Sequence, residues 1–273
     1  MMMSWANNNH RWMTLAVGLA LMASISCGAQ TDTVRVSKAP ITLKRMRLIA
    51  VGHTNLLDTY LSQETFRGTE VGYVARSEWR RKGSSVSREM ESHALVSWAG
   101  TRGNGNSMFT AMYNILFGWH YSWSLAGTRV SLKAGGFMDA TVGGTYNTHN
   151  TNNPAQARMA FAIDPSAGVE WNIRRGRRPL NLSYEAHMPL MGLAFTPQFG
   201  QSYYEIFTLG NYDHNIVVTS PFSGLQWSNK LLLDFKLWRA TLCVGYIGEI
   251  RQLEANSLKY HQYTHSVMVG WKF

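Results

Sequence analysis

His120 and Ser122 stand two positions apart in the stretch Trp-His-Tyr-Ser-Trp that runs from Trp119 to Trp123. A histidine within hydrogen-bond reach of a serine can draw off its proton and make the hydroxyl a nucleophile. In an extended chain, residues two apart project from one side, so this spacing meets the first requirement of that chemistry. Two observations weigh against it. Trp119, Tyr121 and Trp123 take the other side, and the next acid that could orient the histidine is Asp139, well downstream. The competing reading is an inward histidine in a polar network, with no catalytic residue at all.

The other histidines are less suited to chemistry. His261 and His265 are four apart, which on a strand at ~3.3 Å per residue is about 13 Å, too far for one ion. Asp213 and His214 are neighbours in a polar stretch and have no further acids beside them. Cys27 and Cys243 are the only cysteines, so neither a zinc cluster nor a disulfide framework can be built. Nothing in the sequence calls for a metal or a cofactor.

Charged residues make up 15% of the chain and aromatics 12%, with ten tryptophans, and the formal charge is +10. Mean hydropathy is −0.19. No stretch after residue 29 reaches the ~20 apolar residues of a spanning helix. A basic chain can bind nucleic acid, but no binding motif or lysine-rich run is present, and the charge suits an anionic membrane surface equally well.

Alternation shows what must position these side chains. Over 157–174, Ala157, Met159, Phe161, Ile163, Ala167, Val169, Trp171 and Ile173 share one side, while Arg158, Asp164, Ser166, Glu170, Asn172 and Arg174 share the other. The period of two is that of a strand, and the length is about three times the usual five or six residues. The same pattern recurs from Phe109 to Trp123, from Leu180 to Met188, from Trp227 to Phe235 and from Leu242 to Tyr246. It is weakest before residue 100. These stretches predict an all-β protein, an antiparallel transmembrane β-barrel. Its ten strands fall at 41–53, 69–80, 86–100, 107–124, 129–145, 156–173, 179–192, 224–236, 240–252 and 257–273. Short turns alternate with long polar loops at 54–68, 100–106, 146–155, 192–223 and 252–256, as in outer-membrane barrels with periplasmic turns and extracellular loops. The stretch 192–223 is aromatic for a loop, and a further hairpin inside it would make twelve strands.

In that arrangement the polar side lines a lumen. Arg129, Lys133, Asp139, Arg158, Asp164, Glu170, Arg174, Glu185, His187, Lys230, Asp234, Glu249 and Arg251 would form its network, with both signs of charge packed into a narrow interior. Trp79, Trp123, Trp171, Trp238 and Trp271 would fall at one membrane interface, and Trp98 and Trp227 at the other, forming girdles. Residues 1–29 read as an export signal, with His10 and Arg11 before an apolar core, and lipidation at Cys27 is an alternative. Residues 30–40 would then be a periplasmic segment and 41–273 the barrel.

The stretches "NLLDTYLS", "NNPAQARMAF" and "MPLMGLAFTPQFGQSYYEIFTLGNYD" resemble an uncharacterised family of exported Bacteroidota proteins, known as a domain of unknown function. The resemblance covers most of residues 30–273 and implies an envelope β-protein, without an activity or catalytic residues. His120-x-Ser122 also resembles the pair of barrel phospholipases and lipid A deacylases, in which the working pair faces lipid; here parity turns it inward. Asp213-His214 is similar to acid–histidine pairs of ten-stranded outer-membrane proteases.

The expected function is therefore a non-enzymatic outer-membrane barrel, its loops a binding surface for an unknown ligand or its lumen a narrow route for a small solute. The alternatives are a membrane-embedded lipid hydrolase using His120 and Ser122, and a periplasmic or lipid-tethered β-protein. Its expected partners are outer-membrane lipid and the barrel assembly machinery. The last strand, "YTHSVMVGWKF", keeps strict alternation to the end, so Val269, Trp271 and Phe273 form the expected assembly signal. Deleting Phe273 is expected to reduce the folded, membrane-inserted fraction severalfold in a fractionation assay; normal insertion would refute that role.

Overall fold

A strand in lipid must find every backbone partner in another strand, and a sheet can do so only by closing on itself. The computed structural model shows that closure for residues 39–103, 105–151, 153–174, 176, 179–238 and 240–273. The expected export signal, Cys27 and most of the segment after it lie outside the described residues.

The strands are β1 (Ile41–Asp58), β2 (Ser62–Arg81), β3 (Val86–Gly100), β4 (Ser107–Ser124), β5 (Val130–Asn147), β6 (Ala155–Arg174), β7 (Leu180–His187), β8 (Met191–Phe195), β9 (Ile216–Thr219), β10 (Gln226–Leu237), β11 (Ala240–Ala255) and β12 (Leu258–Lys272), with one short helix, α1 (Tyr203–Phe207). All pairs are antiparallel. The ring runs β1-β2-β3-β4-β5-β6-β7-β10-β11-β12 and closes between β12 and β1, for example at His53↔His265. The closing seam continues past β12: Arg45 and Phe273 exchange both backbone hydrogen bonds, at 2.8 and 2.9 Å. Among the described residues no helix is long and apolar enough to cross a membrane.

The ring has ten strands, and β8 and β9 account for the remaining two. β6 pairs with β7 over its second half and with β8 over its first, so β7 and β8 are one wall strand interrupted at Met188-Pro189-Leu190. Likewise β9 pairs with β8 and β10 with β7, which makes β9 and β10 a second interrupted strand. A proline lies at each interruption, Pro189 and Pro221, where no ladder donor is needed.

Two expected loops are not loops. The chain turns tightly between β1 and β2 at 59–61, and between β11 and β12 at Asn256 and Ser257, both with positive φ. The polar outward residues in 54–68 suggested loop, but they mark where the apolar exterior ends while strand pairing continues beyond it. Only 192–223 is long, and it holds β8, α1 and β9.

Outward side chains are largely apolar and exposed, such as Phe109, Tyr113, Trp119, Tyr121 and Trp123 on β4 and Met159, Phe161, Ile163 and Trp171 on β6. Trp98 and Trp271 also project outward, Trp238 sits at the β10–β11 turn, and Trp79 is stacked under Arg88 at 5.1 Å. The interior is not uniformly polar. Met46, Leu48, Val74, Leu232, Ile247 and Met268 form one buried apolar cluster in the half of the barrel that carries the first strand's start. Leu56, Leu61, Phe66, Met108, Leu253 and Tyr260 form a second at the opposite, loop-bearing rim.

Gly224 is needed where the turn before β10 leans on β11. Its φ is +145°, and a Cβ there would lie 2.5 Å from the Gln252 carbonyl oxygen. Gly224→Val is expected to lower the urea unfolding midpoint by the equivalent of roughly 1–3 kcal/mol. Gly103→Val, where a Cβ meets nothing within 4 Å, should leave it unchanged.

Candidate functional site

The lumen holds three layers between its rims. The first is an ion cluster drawn from five strands. Arg76 on β2 forks onto Glu185 on β7 at 2.9 and 2.7 Å, contacts Glu89 on β3, and stands 3.5 Å from Glu91. Lys133 on β5 binds Glu89 and reaches Glu185 at 3.1 Å. Lys230 on β10 binds Glu91, with Glu185 at 3.6 Å. Three cations thus meet three carboxylates, and Glu89 and Lys230 are essentially without solvent contact. Charges removed from water stay ionised only when paired and bonded in this way.

The second layer is a cavity of about 90 Å³ in the middle of the barrel. Asp164 and His187 meet there at 3.0 Å, and Asn114 binds both Asp139 and, at 2.8 Å, Thr141. Arg251 holds Glu249 at 2.8 Å, and His93 Nδ1 lies 3.5 Å from the same carboxylate. Asp164 Oδ1 and His93 Nε2 are buried with no hydrogen-bond partner. Among the described residues no group of three or more His, Cys, Asp or Glu is placed to hold a metal ion.

The third layer is a lid. Arg158 binds Asp58 and stands 3.4 Å over the Tyr260 ring. Above it, residues 196–215 fold across the loop rim. α1 starts with a capping box in which Ser202 and Glu205 bond each other's backbone N–H, at 2.7 and 3.3 Å. The Ser202 N–H and hydroxyl hold the Glu205 carboxyl below the usual carboxylate range. Ile206 is fully buried. Tyr203 stacks on Phe207 at 5.9 Å, and burial pushes its phenol up from the ordinary value. Tyr60 in the β1–β2 turn bonds the Gln201 carbonyl at 2.8 Å, and Asn256 in the β11–β12 turn bonds the His214 carbonyl at 2.7 Å. The lid is thereby tied to two other turns.

The structure brings Lys133, Glu185 and Lys230 into the ion cluster, and Asp139, Asp164, His187, Glu249 and Arg251 around the cavity. Asp234 pairs with Lys272 nearer the first rim. Arg129 lies outside the network: it is exposed just before β5 and bonds the Ile173 carbonyl at 2.9 Å. Arg174 is also exposed at the end of β6, and Glu170, four residues earlier, is half-buried. Both arginines follow the inward parity but stand beyond the wall that would enclose them. His120 and Ser122 do face inward, yet they do not bond each other. Ser122 accepts from Arg80 at 3.0 Å, while both ring nitrogens of His120 are without a partner beside Glu89 and Phe137. No nucleophile–base geometry exists there. Asp213 and His214 pair at 2.8 Å on the open surface. The parity of β2 and β3 also places Arg76, Glu89 and Glu91 inward, but does not show how central they are to the cluster; His93 and the lid contacts carry no signal of their own.

The sequence profile of a family described as "Protein of unknown function (DUF3316)" matches residues 13–272. No curated protein matches in sequence. Among solved structures, the chain is similar to the transport unit of the autotransporter AIDA-I from Escherichia coli, with 8% identity, 94% of this chain and 97% of that one covered, and a TM-score of 0.44. It is similar to the outer membrane protease OmpT from Escherichia coli, with 7% identity, 89% and 99% coverage and a TM-score of 0.44. The COG4313 outer membrane channel from Pseudomonas putida F1 gives 7% identity, 89% and 100% coverage and a TM-score of 0.33. Likeness of this degree leaves function to the chain's own residues.

Arg76 touches all three carboxylates of the ion cluster. Arg76→Met is expected to cost about 3–5 kcal/mol, because it strands buried charge. Adding Glu89→Gln should recover part of the loss in urea unfolding; no loss in the single variant would show that the cluster is not a stabilising unit.

Proposed function

This chain belongs to the family of unknown function DUF3316, and we propose that it is a non-enzymatic barrel of the outer membrane, closed along its length, whose lidded rim is a binding surface. The observation that carries the closed reading is the filled lumen. The ion cluster of Arg76, Lys133 and Lys230 with Glu89, Glu91 and Glu185 occupies the lumen beside the first apolar cluster, with Arg76 next inward to Val74 on β2 and Lys230 next inward to Leu232 on β10. A ten-stranded ring is already far narrower than a porin.

The membrane reading rests on the exterior. A water-soluble barrel seldom exposes a contiguous apolar surface of more than a few hundred Å². Here Trp119, Tyr121 and Trp123 on β4, Met138 and Val142 on β5, and Phe161, Ile163 and Trp171 on β6 are each 39–53% exposed on three consecutive wall strands. The orientation follows from the two kinds of rim. The plain rim, where β1 begins and β12 ends, faces the periplasm, and the lidded rim faces outward, available to a surface ligand. Export through a signal peptide and delivery by the barrel assembly machinery are part of the same proposal. The lipid-hydrolase reading is disfavoured by the missing His120–Ser122 bond.

Two measurements on the purified full chain test this. Heat-modifiable gel mobility after detergent extraction is expected, and its absence would overturn the membrane barrel. In planar bilayers the protein is expected to be silent; steady single-channel conductance would overturn the closed lumen and favour a solute route.

A further inference from the structure

The wall has a gap at the two interruptions. The β7–β10 ladder ends at His187↔Ser228, and pairing resumes only at Gly192↔Thr219 between β8 and β9. Between these points, residues 188–191 on one side face 220–227 on the other. The second segment bonds to β11 instead: Gln252 N–H donates to the Leu225 carbonyl at 3.1 Å and Glu254 N–H to the Ser223 carbonyl at 2.7 Å. Met188 and Leu190 spend their N–H groups on β6, at 3.3 and 2.9 Å, and Pro189 between them has none to offer.

The central cavity passes through this gap. Side chains alternate between the two faces of a strand, so a continuous sheet separates inward from outward residues. The cavity is nonetheless lined by both: Asp139, Asp164 and Glu249 from inside, and Met159, Trp227 and Ile250 from outside. The level of the gap is within the apolar exterior, since its neighbours on β6 are Ile163 and Pro165, between Met159 and Trp171.

The inner end is acidic. Of the charged residues that line the cavity, Glu91 is held by Lys230 and Arg158 by Asp58. Asp139, Asp164 and Glu249 are left against the guanidinium of Arg251, with His93 and His187 beside them. Asp164 is wholly buried, and its Oδ1 has no partner. A buried acceptor left open at the end of an apolar entrance is matched by a donor carrying positive charge. The volume of about 90 Å³ is well above the ~10–15 Å³ that a single water needs by the same measure, so an ammonium and its first carbons fit.

Resting on the membrane-barrel reading, we propose that the gap between β7/β8 and β9/β10 is a side entrance from the bilayer, through which the ammonium head of a long-chain primary amine reaches Asp164 and Asp139 while its chain stays outside against Trp227 and Met159. The site is a dead end, because the ion cluster blocks the lumen below it.

The full chain in lipid nanodiscs tests this with dodecylamine, dodecanoate and methylamine as probes. Saturable dodecylamine binding is expected, with dodecanoate and methylamine at least about tenfold weaker, a difference of ~1.4 kcal/mol. Asp164→Asn should weaken dodecylamine binding by a similar factor, and Trp227→Ala, on the outer face, should weaken it without touching the acids. A dodecylamine carrying a diazirine near its head should crosslink within 188–191 or 220–227. Equal binding of dodecanoate, crosslinks spread around the belt, or unchanged affinity in Trp227→Ala with heat-modifiable mobility intact would overturn the entrance. Loss of heat-modifiable mobility in the unmodified chain would instead overturn the barrel reading on which it rests.

Discussion

Hydrocarbon offers no partner to a backbone amide, and each group left open there costs several kcal/mol. The ten-stranded ring answers that constraint, and the rest of the molecule follows from it. Because β1 must meet β12, their register is fixed through Phe273. Because the N–H and C=O groups in the wall are committed to neighbours everywhere but at the break between β7/β8 and β9/β10, side chains along the paired strands have only two places to go, outward to lipid or inward to a narrow core. The interior then has to solve a packing problem that the exterior does not have. Its solution combines two apolar clusters with an ion cluster that stands beside the first of them and a hydrogen-bonded cavity toward the lidded rim.

The one place where the wall relaxes the constraint is chemically prepared for it. Pro189 and Pro221 remove donors, the turn before β10 satisfies its backbone on β11, and Gly224 permits the approach. The break therefore leaves few open backbone groups, although it interrupts two strands at one level. The lid lies at the end of the same two strands, so the long excursion between β8 and β9 and the break in the wall are parts of one departure from an otherwise regular meander.

Much of the barrel was legible in the sequence because lipid-facing and lumen-facing residues differ in kind. On β4 and β6 the outward side is aromatic or aliphatic and the inward side polar or small, and the strand count followed. On β1 the reading was poor for a physical reason: Met46, Leu48 and Ala50 are inward and apolar, opposite outward Ile49 and Val51, so the two faces look alike. Strand ends were misjudged where pairing outlasts the apolar exterior, as in 54–68. Parity placed Asp164, Glu185 and Lys230 inward, but the pairing between them could not be read, because partners such as Glu91 and Lys230 come from strands on opposite stretches of the chain. Arg129 and Arg174 show the limit of parity, which gives the side and not the depth. The interruption at Pro189 had a signal, a proline inside an alternating run, but only the partner strand shows what it opens.

The ion cluster bears on how such a chain enters a bilayer. Its members come from β2, β3, β5, β7 and β10. A hairpin of β2 and β3 carries one more carboxylate than cation; β5 cancels the excess and β7 restores it. Balance is reached at β5, lost again at β7 and restored only with Lys230 on β10, late in the chain. Even at β5 the pairing is incomplete, because the cation that holds Glu91 is Lys230. The cluster is therefore whole only when β2, β3, β5, β7 and β10 stand together, which ties the pairing of its charges to a nearly complete sheet.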